Sequence, residues 1–265
     1  MTIGFLGGDR RMEIAADFLR KAGQAVRVNT GSAPREDFFT SLDALVLPYP
    51  ATRDGVHITA TAIPFASLPL SRGTHLFGGR LPAAWREGRV SFDAEEDEAF
   101  LQRNAYLTAA AGVSTALRAT ERAFFGVSAA VVGYGRIGKE AAKMLRALGA
   151  DTAVYVRRQA AREEAARDGF RAYLLEETER LPAGVVLATV PAPAPNLTHL
   201  SVKGDALVYD LGGGLPATLP GENGESVLTV PLRAAPGVFA PLAAGELYGR
   251  FVLDAIARLE RNDTR

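Results

Sequence analysis

Short apolar runs alternate with amphipathic stretches of helical period along most of the chain. Residues 3–6 are mostly apolar, residues 7–9 read Gly-Gly-Asp, and apolar residues recur at helical spacing over 11–22. This succession predicts a strand, a turn and a helix. Repetition of such units is typical of βαβ connections, in which parallel strands form a sheet that helices cover. The pattern therefore predicts an α/β fold.

The same criterion predicts the remaining elements. Further strands are expected at 25–28, 42–47, 74–77, 89–92, 129–132, 152–156, 185–189, 207–211 and 226–230. Helices are expected over about 94–125, with Gly112 as a candidate break, and over 138–148 and 242–260. This order predicts two doubly wound parallel-sheet domains. A flavodoxin-like N-terminal substrate domain takes 1–110 and is completed by the C-terminal helix 242–265, and a Rossmann dinucleotide-binding domain takes 112–236.

Composition narrows the class of protein. The 265 residues carry no formal net charge, which argues against a protein whose main partner is nucleic acid or an anionic membrane. Cysteine is absent and the three histidines are scattered, so we expect no disulfide and no metal site. The sequence opens on a strand without a basic and apolar leader, and no stretch is long and apolar enough to cross a bilayer. A cytoplasmic protein is expected.

The motif with the clearest chemistry is the turn Gly133-Tyr134-Gly135-Arg136-Ile137-Gly138. It follows a predicted strand and opens a predicted helix, which is the context of a dinucleotide-binding fingerprint. The first glycine permits the tight turn, the second lets a pyrophosphate approach the backbone, and the third lets helix and strand pack closely. We expect all six residues to form the cofactor turn.

The end of the next strand indicates which cofactor binds. An NAD site normally has a carboxylate there, whereas this chain has Arg157 and Arg158, which suit a 2′-phosphate. The sequence favours NADP, with NAD as the alternative, although two arginines after a strand are also common as solvated surface residues. Thr189 and Pro191 end a later strand and are expected to border the nicotinamide ribose.

Several segments together resemble the A subunit of dipicolinate synthase. They are residues 4–10, the loop 47–56, the glycine turn with its helix, and residues 235–241. The resemblance implies a dehydrogenase that removes a hydride from a dihydro- or hydroxytetrahydro-dipicolinate precursor and yields pyridine-2,6-dicarboxylate. It also implies NADP or NAD as cofactor, sporulating bacteria as the source, a partner that is a flavoprotein-like B subunit, and a homo-oligomer.

Two motifs depart from that family's pattern. The family's Asn-x-x-Pro-Thr-x-Glu-Gly motif has its proline replaced by Leu107 and its glutamate by Ala110. A Ser-Arg pair that is usual after the Asp-Leu of a late strand is replaced by Gly213 and Gly214. Neither change touches the cofactor turn, but both remove groups expected beside the substrate.

Substrate residues are expected on the loops of the N-terminal domain, with substrate held between the two domains. Asp9 and Arg10 follow the first strand, and Thr52 and Arg53 lie in the loop after the third. No catalytic base stands out, and the weak candidates are three residues: Thr52, His57 and Thr108. Two alternatives stay open: an NADP-dependent reductase or dehydrogenase of another small carboxylate, and a non-catalytic cofactor-binding regulatory subunit.

Overall fold

In the computed structural model, which describes residues 1–30, 34, 36–120, 123–192, 194, 197 and 199–263, the chain forms two compact units. The first comprises Met1–Asn104 and Gly237–Arg265, and the second comprises Ala105–Pro236. These units differ by a few residues from the expected domain limits, since 105–110 lie in the second unit and 237–241 in the first. Ala109, for example, packs in the core of the second unit.

The first unit is built on a five-stranded parallel sheet. Its elements are β1 (Thr2–Leu6), α1 (Arg10–Lys21), β2 (Ala25–Asn29), β3 (Ala44–Val46), β4 (His75–Gly78), α2 (Ala83–Arg86), β5 (Ser91–Asp93), the start of α3 (Glu98–Ala119) and, at the C-terminus, α7 (Pro241–Asp263). The strand order is β2-β1-β3-β4-β5, with Ile3 paired to Val26 on one side and to Ala44 on the other. This is the expected flavodoxin-like order, whose switch point lies between β1 and β3.

The C-terminal helix α7 belongs to the core of this unit. Gly245 lies against α1, where an added Cβ would come within 2.5 Å of Cβ of Ile14, so the two helices approach closely. Tyr248 is buried, and its hydroxyl donates to the carbonyl oxygen of Leu47 at 2.5 Å. Burial raises the pKa of this phenol, with a smaller contribution from the charge of Asp93. The closing helix therefore attaches directly to the end of β3.

The second unit contains a seven-stranded sheet. Its elements are the rest of α3, β6 (Ser128–Val132), α4 (Arg136–Ala147), β7 (Asp151–Val156), α5 (Gln159–Arg167), β8 (Arg171–Leu174), β9 (Arg180–Leu181), β10 (Val185–Ala188), β11 (Ser201–Val202), β12 (Leu207–Asp210), β13 (Thr218–Pro220), β14 (Ser226–Pro231) and α6 (Ala235–Phe239), which crosses into the first unit. The order is β13-β14-β12-β10-β6-β7-β8, in which β13 alone among these strands is antiparallel to its neighbour. The parallel part has the Rossmann order.

The two faces of this sheet are covered differently. Helices α3, α4 and α5 pack on one face through small and apolar residues such as Val113, Leu145 and Ala165. On the other face the described chain supplies the short strands β9 and β11 and irregular segments, whose Leu181 and Val202 are buried in the core cluster of that face. Proline and glycine after β10 and β12 disfavour the helices that a doubly wound domain normally has there. The parallel sheet is confirmed, but one face carries no helix among the described residues.

The predicted strands and long helices are all present with ends shifted by one or two residues in most cases. The proposed break at Gly112 is wrong, because α3 continues through it from Glu98 to Ala119. This glycine serves packing, since an added Cβ would lie 2.8 Å from Cδ2 of Leu211. Sequence analysis missed the short elements α2, α5, α6, β8, β9, β11 and β13, whose apolar pattern is too brief to distinguish from a loop.

Replacing Tyr248 with phenylalanine tests how α7 is attached. The variant loses a buried donor and leaves the carbonyl of Leu47 without it, so the free energy of unfolding should fall by about 1–2 kcal/mol. Urea denaturation measures this change. The exposed Tyr106→Phe is the matched control and should be neutral; equal stabilities for all three proteins would contradict the attachment.

Candidate cofactor-binding site

The glycine turn between β6 and α4 combines one very close contact with one open position. Gly133 has a φ of 98°, which favours glycine, and a Cβ built on Gly138 would lie 2.1 Å from the carbonyl oxygen of Gly133. A Cβ built on Gly135, by contrast, would meet nothing within 4 Å. Gly133 and Gly138 hold turn and helix together, while Gly135 leaves free space above the backbone.

That free space lies at the N-terminus of α4. Gly135 is the N-cap and contributes no side-chain hydrogen bond, so no cap side chain occupies this end of the helix. The helix dipole favours negative charge at this position. A pyrophosphate fits both conditions, and the backbone of residues 135–138 would hold it.

Tyr134 lies between the glycines but its side chain points into the protein. Its hydroxyl donates to Oδ2 of Asp168 at 2.6 Å, and its ring packs edge-on against Phe170. Burial raises the pKa of this phenol, and the hydrogen bond to Asp168 adds to the effect. Ile137 is partly buried against the same core, whereas Arg136 is exposed. Tyr134 and Ile137 thus contribute backbone, not side chains, to the open face of the turn.

Arg157 and Arg158 follow β7 directly and are both exposed. Within the described part of the chain, neither guanidinium makes a hydrogen bond or ion pair. Arg171, at the opposite edge of the same sheet, is instead paired with Asp151 at 2.5 Å. The two arginines next to the turn therefore have their donors available for an anion.

Thr189 and Pro191 continue this edge after β10. The hydroxyl of Thr189 donates to the carbonyl oxygen of Val132 at 3.1 Å, which ties the end of β10 to the strand that carries the turn. An isolated backbone bridge joins Pro191 to Gly213, the loop after β12. The loops after β6, β10 and β12 therefore form one continuous edge.

Asp210, the last residue of β12, has a structural role that the sequence alone did not reveal. This buried carboxylate accepts hydrogen bonds from the N–H groups of Gly212 and Gly213 at 3.1 and 2.7 Å, and from that of Leu215 at 3.2 Å. It holds the glycine loop after β12 in place. The signal in the sequence was an aspartate followed by a run of glycines, a pattern in which the side chain often bonds the backbone after it.

The corresponding turn in the first unit is closed by the protein itself. A Cβ on Gly7 would lie 2.8 Å from the carbonyl oxygen of Thr59, and the N–H of Gly8 donates to that same oxygen. Asp9 caps α1 by accepting from the N–H of Arg11 and pairs with its guanidinium at 2.8 Å. Burial raises the pKa of Asp9, but the hydrogen bonds and charge of Arg11 outweigh it and lower the pKa overall. Asp9 is thus engaged, while Arg10 is exposed.

The loop after β3 brings two of the three candidate catalytic residues together. Nδ1 of His57 lies 2.7 Å from Oδ2 of Asp54, and the hydroxyl of Thr52 donates to Oδ1 of the same carboxylate at 3.0 Å. The hydrogen bond from the imidazole, followed by those from backbone N–H groups, lowers the pKa of Asp54. The geometry orients the His57 ring and leaves Nε2 for a partner, and Arg53 is exposed beside it.

Thr108 lies elsewhere, buried within α3 in the second unit. Thr52 and His57 therefore lie on one loop of the first unit, whereas Thr108 belongs to the second unit. Its burial suits a packing role, and a catalytic role for any of the three stays a prediction.

Sequence reasoning missed a polar cluster beyond the carboxyl ends of β3 and β5. The hydroxyl of Tyr49 donates to Oε1 of Glu95 at 2.7 Å, and Nε of Arg80 donates to the same oxygen at 2.6 Å. Burial raises the pKa of Tyr49, and the bond to Glu95 raises it further. A tyrosine inside a Pro-Tyr-Pro turn gave no sequence signal of this partner, which lies 46 residues away.

Two further observations concern the described residues as a whole. They contain no group of three or more histidine, cysteine, aspartate or glutamate side chains that could hold a metal ion. None of their helices has the length and hydropathy needed to cross a membrane.

Known proteins resemble the chain in its cofactor-domain sequence and in its fold. Residues 100–199 match the family model of the NAD binding domain of D-isomer specific 2-hydroxyacid dehydrogenases. The chain matches no curated protein sequence. The dipicolinate synthase A chain from Bacillus subtilis superposes with a TM-score of 0.75 at 19% identity, covering 99% of this chain and 97% of that one. Its counterpart from Bacillus halodurans gives 0.72 at 20% identity, covering 97% of each chain. A transhydrogenase from Sinorhizobium meliloti gives 0.61 at 16% identity, covering 95% and 91%.

These similarities confirm the predicted resemblance to the A subunit of dipicolinate synthase at the level of the fold. The family match spans the glycine turn, both arginines after β7 and the end of β10. It confirms a nicotinamide dinucleotide as the cofactor class and, with it, an NAD(P)-dependent oxidoreductase. The family match does not distinguish NAD from NADP, and only the residues at the end of β7 bear on that choice.

Two glycine variants separate cofactor binding from folding. Valine at position 135 enters open space at an ordinary φ of −84°, so the protein should fold normally while its affinity for NADPH falls at least about tenfold. Gly138→Ala should instead lower the melting temperature, because its Cβ meets the Gly133 carbonyl. Fluorescence titration with NADPH and thermal unfolding measure the two effects. Unchanged NADPH affinity in a well-folded Gly135→Val would contradict the site.

Proposed function

We propose that this protein is an NADP-dependent dehydrogenase that converts a dihydropyridine dicarboxylate precursor to pyridine-2,6-dicarboxylate. The observation that carries the proposal is the open Gly135 turn beside two arginines that have no partner among the described residues. The full-length similarity to two dipicolinate synthase structures supports the choice of reaction.

The residues of the second unit fit a nicotinamide dinucleotide. Backbone N–H groups at the start of α4 would hold the pyrophosphate, and the Thr189 and Pro191 segment would border the nicotinamide end. When bound, the oxidised nicotinamide supplies the hydride acceptor. The task of the protein is then to place the substrate C–H bond, to hold both carboxylates and to accept the proton released with the hydride.

Charge favours NADP over NAD. A 2′-phosphate placed beyond the end of β7 would meet Arg157 and Arg158, whose guanidinium groups can bond it through paired N–H donors. The strand end has no carboxylate of its own that would accept from the ribose hydroxyls of NAD, since it reads Tyr155-Val156 before the arginines. Both arginines are exposed, so they can adopt the required rotamers without breaking an existing bond.

The family match favours a second candidate reaction. A domain that resembles those of 2-hydroxyacid dehydrogenases is compatible with hydride transfer between NADP and a small 2-hydroxy acid. This candidate uses the same cofactor site but needs one carboxylate site where the dicarboxylate needs two. Turnover of each substrate, measured in parallel assays, therefore separates the two reactions.

The choice of cofactor is tested by the double variant Arg157→Gln/Arg158→Gln. Loss of two charge-assisted contacts should weaken NADPH binding about 10- to 100-fold, while NADH binding should change little. Arg171→Gln/Arg180→Gln is the matched control, because it removes the same charge from arginines that are already paired with Asp151 and Glu222. If both doubles have the same NADPH affinity, the selection of NADP by these arginines is refuted.

The reaction is tested by supplying freshly generated dihydrodipicolinate with NADP⁺. Absorbance at the NADPH wavelength should rise and pyridine-2,6-dicarboxylate should form in equal amounts, whereas Gly135→Val should be slow at the same cofactor concentration. The assay is run with a series of 2-hydroxy acids in parallel. Turnover of a 2-hydroxy acid and not of dihydrodipicolinate would select the second candidate.

A further inference from the structure

Arg233 follows the last strand of the second unit at the same edge as the cofactor turn. Strand β14 pairs with β12 up to the Asp210–Pro231 register, and the N–H of Leu232 then donates to the Asp210 carbonyl at 2.9 Å. Arg233 is the next residue. It therefore emerges where the chain leaves the sheet beside the glycine loop after β12.

The guanidinium of Arg233 lies against that loop. A Cβ built on Gly213 would be 2.7 Å from Nη1 of Arg233, and Gly213 has a φ of 84°. The loop itself is fixed, because the N–H of Gly213 donates to buried Asp210 at 2.7 Å. A side chain at position 213 would occupy the space that the guanidinium now uses, so glycine at this position makes room for it.

Arg233 is nevertheless without a partner in the described part of the chain. Its side chain makes no hydrogen bond, ion pair or ring contact there, and the residue is exposed. Arg146 in the same unit differs, since its guanidinium bonds the Asp168 carbonyl and stacks 4.0 Å from the centre of the Phe170 ring. An arginine held close to a rigid loop with its donors free is suited to bind an anion.

The order of strands indicates which anion this is. Along the carboxyl edge, Arg157 follows β7, the glycine turn follows β6, Pro191 follows β10, and Arg233 follows β14. Adjacent strands are about 4.8 Å apart, so β14 lies about 14 Å from β6, on the side opposite Arg157. Arg233 would thus be remote from a pyrophosphate on the glycine turn and from a 2′-phosphate beside Arg157. It would lie on the nicotinamide side of a bound cofactor, where the substrate is expected.

We propose that Arg233 binds a carboxylate of the substrate and positions it beside the nicotinamide. This inference rests on the proposed function and adds the residue in the cofactor domain that recognises the substrate. The planar fork of Arg233 would bond one carboxylate through two N–H groups, and glycine at position 213 leaves room for that fork beside the loop.

The test measures binding of pyridine-2,6-dicarboxylate to the NADPH-saturated protein by calorimetry in metal-free buffer. Arg233→Gln should weaken this binding at least about tenfold, and Arg233→Lys should lie between it and the unsubstituted protein, because lysine keeps the charge but loses the fork. The neutral pyridine-2,6-dicarboxamide should bind all three alike. Arg171→Gln is the control for lost charge, and NADPH affinity should be the same in every variant.

The outcomes distinguish this inference from the proposed function. If the unsubstituted protein binds the dicarboxylate and Arg233→Gln binds it equally well, the role of Arg233 is refuted and the proposed function stands. If the protein binds NADPH but no dicarboxylate, both the role of Arg233 and the proposed substrate fall. Absence of NADPH binding would overturn the cofactor assignment, and the inference with it.

Discussion

The close contact between Gly138 and the carbonyl of Gly133 is the constraint on which the cofactor site depends. It brings the N-terminus of α4 directly over the end of β6, at a distance that a Cβ on Gly138 would prevent. Because Gly135 is open and supplies no side-chain cap, space remains at the N-terminal end of that helix. The expected affinity for an anion is thus a result of backbone packing, and no charged side chain in the turn is needed to create it.

Strand order then arranges the rest of the site. All parallel strands of the second unit end at one edge, so loops far apart in sequence become neighbours there in the order of the sheet. Arginines at this edge, such as Arg157 and Arg233, have free donors in the described chain, whereas Arg171 at the opposite edge is paired with an aspartate. A chain with no net charge can therefore still offer cationic groups where a dinucleotide and a carboxylate would lie.

Local patterns predicted the strands, the long helices and the task of each glycine in the turn, because each depends on residues close in sequence. The partners of individual side chains were not predictable, whether they lie near or far in the sequence. Asp9 suggested a substrate ligand, but Arg11 and the cap of α1 engage it. The Gly213-Gly214 pair suggested the loss of an arginine, yet Arg233, 20 residues after Gly213, lies against Gly213. The pairing of β14 with β12, which the sequence does not display, brings Arg233 beside this loop.

The inward direction of Tyr134 links the phosphate turn to a distant part of the unit. Its ring contacts Phe170 and its hydroxyl bonds Asp168, so the turn is fastened to the segment that joins α5 to β8. That segment immediately follows the strand and helix flanking Arg157. We therefore expect the turn and the connection after β7 to open and close together, as parts of one cooperative segment. Retention of a bound dinucleotide would then depend on the stability of this whole segment and not on any single contact.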